Sequence, residues 1–340
     1  MLKKYASYVI GLLMLLLLVT ACSTDETTND PSQENDNNET KTADAAEELK
    51  LPETDLQKMD EGTAVQALQE VLNEIGYSIT SNGNFDDTTT WAVTDFQLQQ
   101  EDLLALGVYN AETKEALEEL LSTGDTVEAE AGLPLDAEEA STSHEDTHVL
   151  ANPYDQLALV NKQYALPSDY TPDDLVVPDV PFPFDEDLPQ KQLRAVAADA
   201  LEELFQAADE AGLDLVAQSG YRSYDRQDTI FASNVEAHGE EAANNFSAQP
   251  GESEHQTGLT MDVTTPHINN ELTIEFGETA EGKWVEEHAA EYGFIIRYPE
   301  GKEEITEYQF EPWHIRYVGE KTAQEITAQA ITLEEYYGVE

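Results

Sequence analysis

Cysteine occurs once in this 340-residue sequence, at Cys22. A lone cysteine excludes an intramolecular disulfide and any metal site built on paired thiolates. Basic residues are also scarce: 16 Lys and Arg stand against 71 Asp and Glu, a formal net charge of −55. Phosphate backbones are gripped by clustered Lys and Arg, so nucleic acid is a poor partner. The acidity describes a solvated surface and says nothing of fold. No apolar run reaches the roughly 20 residues that span a bilayer. The run from Val9 to Val19 is interrupted only by Gly11 and stops well short of that. The length leaves room for about two domains of roughly 100–200 residues each, plus linkers.

Lys3 and Lys4 precede the apolar run, and a positive segment followed by a short apolar one is the pattern of a signal peptide. Val19-Thr20-Ala21-Cys22 closes it. This tetrapeptide resembles the bacterial lipobox, in which cleavage falls before a cysteine that carries a diacylglyceryl thioether. The resemblance implies a signal peptide over residues 1–21, lipidation at Cys22, and a protein anchored to the outer face of the cell membrane. Residues 22–54 come next as an acidic tether, since the stretch from Ser23 to Lys50 has no aromatic residue and too little to bury to fold. Residues 122–147 contain no Lys or Arg. They read as a second acidic linker, extended by self-repulsion, between domains that fold independently.

Residues 55–121 carry three helical patterns. Val65, Leu68, Leu72 and Ile75 share one face, Ala92, Val93 and Phe96 another, and Ala116, Leu117, Leu120 and Leu121 a third. Gly76-Tyr77 and Asn82-Gly83 are the turns. The segment resembles the three-helix peptidoglycan-binding module at Gly62, Leu68-Gln69, Gly76-Tyr77, Gly83, Phe85-Asp86, Phe96-Gln97, Gly107 and Thr113. That resemblance implies peptidoglycan as a partner and does not say which residues bind it.

The chain changes character over residues 148–340. Leu157 to Val160 is an apolar run of strand length, Pro167 to Pro189 is irregular, and an amphipathic helix is predicted from about Gln190 to Ala211 with Gly212 behind it. A strand, Leu213 to Ala217, leads into Ser219-Gly-Tyr-Arg-Ser-Tyr-Asp-Arg-Gln227. Two further pieces are Ser253-Glu-His255-Gln-Thr-Gly-Leu-Thr-Met-Asp262 and Glu311-Pro-Trp-His314-Ile-Arg-Tyr317. A catalytic zinc takes three nitrogen or oxygen ligands and keeps one open position; two histidines and an aspartate meet that demand. It lowers the pKa of water to about 7, and a nearby carboxylate must then move protons. Glu311, three residues before His314, is placed for this, with Pro312 arguing for a kinked extended segment between them. Arg222 is the cation that would face charge developing on a scissile carbonyl oxygen.

At these three pieces, and at Val160-Asn161-Lys162, Pro250-Gly251, Tyr292-Gly293-Phe294 and Arg297-Tyr298-Pro299, the chain resembles the VanY-type D-alanyl-D-alanine carboxypeptidases, a family of zinc peptidases. The resemblance implies an α+β domain, a small, mainly antiparallel sheet with flanking helices, holding one Zn2+ per chain on His255, Asp262 and His314. It assigns the base to Glu311 and the carbonyl-stabilising cation to Arg222. Ser253 and Gln227 are expected to contact substrate, and Thr260 stands where Ala is usual. The expected activity is removal of the terminal D-Ala from peptidoglycan stem peptides by a monomer. The alternatives are an L,D-carboxypeptidase acting on tetrapeptide stems and a non-catalytic wall-binding lipoprotein. His144-Glu145-Asp146-Thr147-His148 spells H-E-x-x-H, but that motif works on a helix, and its surroundings are acidic linker with weak helix formers.

Overall fold

The computed structural model describes residues 49–135, 147–244 and 246–339. The lipobox, the apolar run and most of the H-E-x-x-H segment lie outside them. Among the described residues no helix is long and apolar enough to cross a membrane. All fall within one unit over residues 48–340.

Three helices come first: α1 (Thr63–Glu74), α2 (Asp87–Leu98) and α3 (Ala111–Thr123). Asp86 and Asn110 cap α2 and α3, each accepting the backbone N–H three residues on. Val65, Leu68, Leu72, Ile75, Val93, Phe96 and Leu117 meet in one apolar core. Buried Gln69 and Gln97 serve the connections. Gln69 accepts from Gly83 N and donates to Asn84 O, and Gln97 accepts from Leu106 N and Gly107 N.

The acidic stretch after α3 departs from an extended linker over the residues described. Leu133 is buried in the bundle core and Val127 packs against it. Asp95, fully buried on α2, collects the backbone N–H groups of Glu130, Gly132 and Leu133. Among the described residues of this stretch Asp125, Glu128 and Glu130 face water while Val127 and Leu133 dock, so self-repulsion does not decide its path. Nor does the bundle stand apart from the second half of the chain. Gln156 N donates to Leu106 O at 2.9 Å, Asn152 Nδ2 to Thr94 Oγ1 at 2.9 Å, and Gln57 Nε2 to Thr322 Oγ1 at 2.6 Å. Lys58 pairs with Asp155, and Lys321 with Asp60. Arg194, 1% exposed, sits at the junction, donating to Ala105 O, Tyr154 O and Asp174.

The second half opens with β1 (His148–Val149), β2 (Tyr164–Ala165), β3 (Leu175–Val176) and β4 (Leu193–Arg194), in two short pairs. Then come α4 (Ala195–Glu210), β5 (Val216–Ser219), α5 (Tyr224–His238), α6 (Glu240–Ala243) and β6 (Thr260–Thr264). The chain ends with α7 (Ala280–His288), β7 (Phe294–Ile296), α8 (Glu303–Thr306), β8 (His314–Tyr317), α9 (Glu320–Gln329) and α10 (Leu333–Tyr337). The main sheet is antiparallel in the order β5-β6-β8-β7.

Two expectations move. The apolar run at Leu157 is not a strand: Asp155 holds its backbone in a turn, and Arg316 Nη2 takes the carbonyls of Gln156 and Ala158. The long helix begins at Ala195 rather than near Gln190. The backbone before it is bonded elsewhere, Arg194 N to Gly258 O and Ala195 N to Asp174 O, while Gln190 O and Gln192 O accept from Gly220 and Tyr221.

The sheet's alternation positions the site. Met261 and Ile315, opposite each other on β6 and β8, face α4 and join Leu201, Leu204 and Phe205 in the core. Their neighbours Asp262 and His314, also opposite each other, therefore share the other face.

Candidate metal centre

His255, Asp262 and His314 come together. One ligand atom from each lies within 4.8 Å of the others, and all three residues are buried. Asp262 and His314 are brought there by cross-strand pairing. His255 comes from a 3-10 turn, Glu254–Thr257, ended by Gly258 in the left-handed region (φ 70°). A side chain there would also meet Arg194, 2.9 Å from where its first carbon would lie.

His255 Nδ1 donates to Gly220 O at 2.8 Å, leaving Nε2 bare, and Nε2 lies 3.4 Å from Asp262 Oδ2. Burial, helped by Arg222, lowers the His255 pKa to about 3, so the ring is neutral and able to ligate. Burial favours a protonated Asp262, but the two histidines outweigh it and hold the carboxyl below its ordinary value. His314 Nδ1 lies 3.0 Å from Asp262 Oδ1. Burial pulls that ring down, while Asp262 and Glu254 more than reverse it, to about 9. Two imidazoles and a carboxylate at this spacing fit a divalent cation, and the donor types are those of zinc.

Glu311 and His314 flank a tight turn in which His314 N donates to Glu311 O at 3.1 Å. Pro312 fixes the second position of that turn, which sets the Glu311 carboxylate 3.9 Å from His314 Nδ1. Burial pushes the Glu311 carboxyl up to about 7, against the pull of His314. That is the range in which a carboxylate both takes and returns protons at neutral pH. Arg222 lies just past β5 and is tied to the zinc-type cluster by its backbone N–H, which donates to His255 O at 3.1 Å. Its guanidinium donates to Gln227 Oε1 at 2.9 Å and Ser219 Oγ at 3.3 Å. Burial lowers its pKa, and Asp262 and Glu311 oppose that.

These residues line a cleft of about 200 Å³ with Ser253, Tyr298, Tyr308 and Trp313. A larger cleft, about 970 Å³, lies between the bundle and residues 150–164 and is lined by none of His255, Asp262, His314, Glu311 and Arg222. Gln227 reaches the smaller cleft, but both ends of its amide are engaged, the oxygen by Arg222 and the nitrogen by Ala248 O at 2.6 Å. It therefore holds Arg222, and the second lone pair and second N–H of the amide leave room for the substrate contact expected of it.

Behind the cleft lies a buried charge network that motif spacing does not reveal. Glu254 Oε1 accepts from Arg297 Nε at 2.8 Å and Arg316 Nη1 at 2.7 Å. Arg297 is also forked by Glu334, at 3.0 and 2.6 Å. Burial would raise the Glu254 pKa, but the two guanidiniums hold it well below the carboxylate range. The signal was present, since Glu254 and Arg316 lie inside two of the motifs and Arg297 opens a third. Nothing in one dimension says that they meet.

Comparison with known proteins agrees with this geometry. The VanY family model, described as D-alanyl-D-alanine carboxypeptidase, matches residues 190–320. A second model, “Putative peptidoglycan binding domain”, matches residues 61–117. The chain is 55% identical over 188 residues to “Putative carboxypeptidase YodJ” of Bacillus subtilis (strain 168), covering 55% of this chain and 69% of that protein. It is 38% identical over 184 residues to the bifunctional D-Ala-D-Ala dipeptidase and D-Ala-D-Ala carboxypeptidase VanXYC of Enterococcus gallinarum, covering 53% of this chain and 93% of that one. Among solved structures, the LD-carboxypeptidase LdcB superposes with a TM-score of 0.56 at 52% identity, covering 58% of this chain and 94% of that chain. The chain is thus an enzyme of the VanY D-alanyl-D-alanine carboxypeptidase family, with a peptidoglycan-binding domain ahead of its catalytic domain.

Proposed function

We propose that the protein is a zinc-dependent carboxypeptidase that removes the C-terminal D-alanine of peptidoglycan stem peptides. The observation that carries this is one cleft holding the donors of His255, Asp262 and His314 within 4.8 Å together with Glu311 and Arg222. Zinc on the three donors supplies Lewis-acid polarisation of a water and of the scissile carbonyl. Glu311 takes the proton of the attacking water and passes it to the leaving amine nitrogen, a shuttle that its pKa of about 7 suits. Arg222, held in place by Gln227 and Ser219, presents its charge to the carbonyl oxygen as negative charge develops there. Ser253 lines the same cleft and is assigned to substrate contact.

The pentapeptide stem, ending in D-Ala-D-Ala, is the substrate indicated by the family and by the Enterococcus gallinarum relative. Likeness to LdcB, at 52% identity against 38% for that relative, favours a second reading: removal of the D-alanine that ends a tetrapeptide stem. Mass spectrometry of purified muropeptides before and after incubation tests both. Loss of one alanine from pentapeptide supports the first, and loss of one from tetrapeptide the second. A cut within a cross-bridge, or full activity after chelation, refutes the proposal.

The bundle keeps the enzyme at its insoluble substrate and raises the effective concentration of stems. Lipidation at Cys22 places it at the outer face of the membrane. Cys22→Ser should release the protein from membranes or leave an unprocessed precursor, and identical detergent partitioning of both forms removes the anchor from the proposal.

A further inference from the structure

The two histidines turn opposite nitrogens toward the site. His255 gives up its Nδ1–H to Gly220 O and offers Nε2. His314 does the reverse: Nδ1 is the atom near Asp262 Oδ1 and Glu311 Oε2. A neutral imidazole ligates through its bare nitrogen, so the proton of His314 must sit on Nε2. Among the described residues that buried Nε2 finds no hydrogen-bond partner, and neither does Glu254 Oε2. The two face each other at 3.6 Å. A buried donor and a buried acceptor left apart are each costly; a shift of about half an ångström closes them to hydrogen-bond distance.

Glu254 is prepared to accept that proton's hydrogen bond. Its other oxygen is claimed by Arg297 and Arg316, both fully buried. Arg297 is shared with Glu334. Two guanidiniums and two carboxylates cancel, so an ionised acceptor is delivered beneath the site without adding net charge to it. The backbone does the rest: Glu254 precedes His255 in one 3-10 turn, and Arg316 lies two residues after His314 on the same face of β8.

We propose that Glu254 is the positioning residue of the metal centre. It holds Nε2–H of His314 and so fixes Nδ1 as the ligating atom. The assignment rests on the metal reading given under the proposed function. Metal-ligating histidines commonly give their second N–H to a carboxylate or carbonyl, and loss of that partner weakens metal binding about 10–100-fold. Here one short turn supplies a ligand and the orienting group of the opposite ligand.

The test begins with wild-type protein labelled with nitrogen-15 at histidine and loaded with zinc. His314 should show zinc at Nδ1 and a slowly exchanging proton at Nε2, the mirror of His255. Zinc affinity is then measured by competition with a chromophoric chelator. In Glu254→Gln the arginines claim the amide oxygen, so an NH2 group meets Nε2–H; in Glu254→Asp the charge stays but the reach is lost. Both should bind zinc about 10–100-fold more weakly, with faster exchange of the Nε2 proton where it is seen. Glu334→Gln, which disturbs the network but not the contact, should stay within about threefold of wild type while losing stability. A wild-type His314 protonated at Nδ1 overturns the proposal, as does a folded Glu254→Gln or Glu254→Asp with wild-type affinity. If Glu254→Gln does not fold, the wild-type spectrum and Glu254→Asp decide. Wild-type protein that binds no zinc fails at the earlier step and sinks the metal reading itself.

Discussion

Replacing Arg194 with methionine should loosen the join between the bundle and the catalytic half. The guanidinium donates to Ala105 O at 2.7 Å in the bundle, to Tyr154 O at 2.8 Å, and to Asp174 Oδ1 at 2.9 Å. Methionine fills much of the volume but leaves two carbonyls and a carboxylate without their donor. Removing one member of a buried ion pair costs about 3–5 kcal/mol. Asp174 keeps some contact with water, its side chain being 16% exposed, which favours the lower end. For a unit of this size about 3–4 kcal/mol lowers the melting temperature by roughly 5–7 °C. Calorimetry of the full chain measures it. Wild type should melt with the bundle and catalytic half together, because they share buried hydrogen bonds. Arg194→Met should melt lower and become sensitive to proteolysis around residues 105 and 154. A change under about 2 °C, or wild-type melting in two separate steps of which neither moves, would show that the join is not held this way.

Glu311→Gln should lower turnover about a hundredfold or more while zinc stays bound, as loss of a general base predicts; stopped-flow rates with metal analysis check it, and wild-type turnover refutes the base. His148→Ala should leave turnover unchanged, since His148 opens β1 outside the cleft lining. Gln227→Ala should lower turnover by about tenfold with zinc affinity intact, since freeing Arg222 costs a hydrogen bond to a charged group worth about 1.5–3 kcal/mol. Glu334 is held below its ordinary value of 4.5 by Arg297, which outweighs the effect of burial. The stability this contributes is present above pH 4.5 and lost as pH falls below it. Urea titrations in chelator from pH 7 to pH 3 should show a shallower acid loss for Glu334→Gln.

The meeting of His255, Asp262 and His314 was legible through the motifs that carry the VanY resemblance, their spacing alone being only suggestive, and Glu311 lies beside them because only three positions separate it from His314. The place of Gln227 in its motif shows that it is near Arg222, but not that its amide bridges Arg222 and Ala248 O. The run at Leu157 reads as a strand by composition alone. Its neighbouring carbonyls belong to Arg316, more than 150 positions away in sequence, and only the fold joins them. The acidic stretch after α3 misled in the same way: bulk charge described its surface, while Asp95 and Leu133 determined where it lies.

Asp262 faces His314 across one rung of the β6–β8 ladder, and Ser219 pairs with the same aspartate from β5 beside a bulge. Side chains alternate along a strand, so a slip of one residue would send Asp262 to the helix-packed face and bring Met261 beneath the cleft. Any odd slip of β6 on β8 would thus part the aspartate from His314. Metal uptake then serves as an inspection of strand alignment: chains zipped in the wrong register acquire no ion, gain no stabilisation from it, and remain free to open and try again.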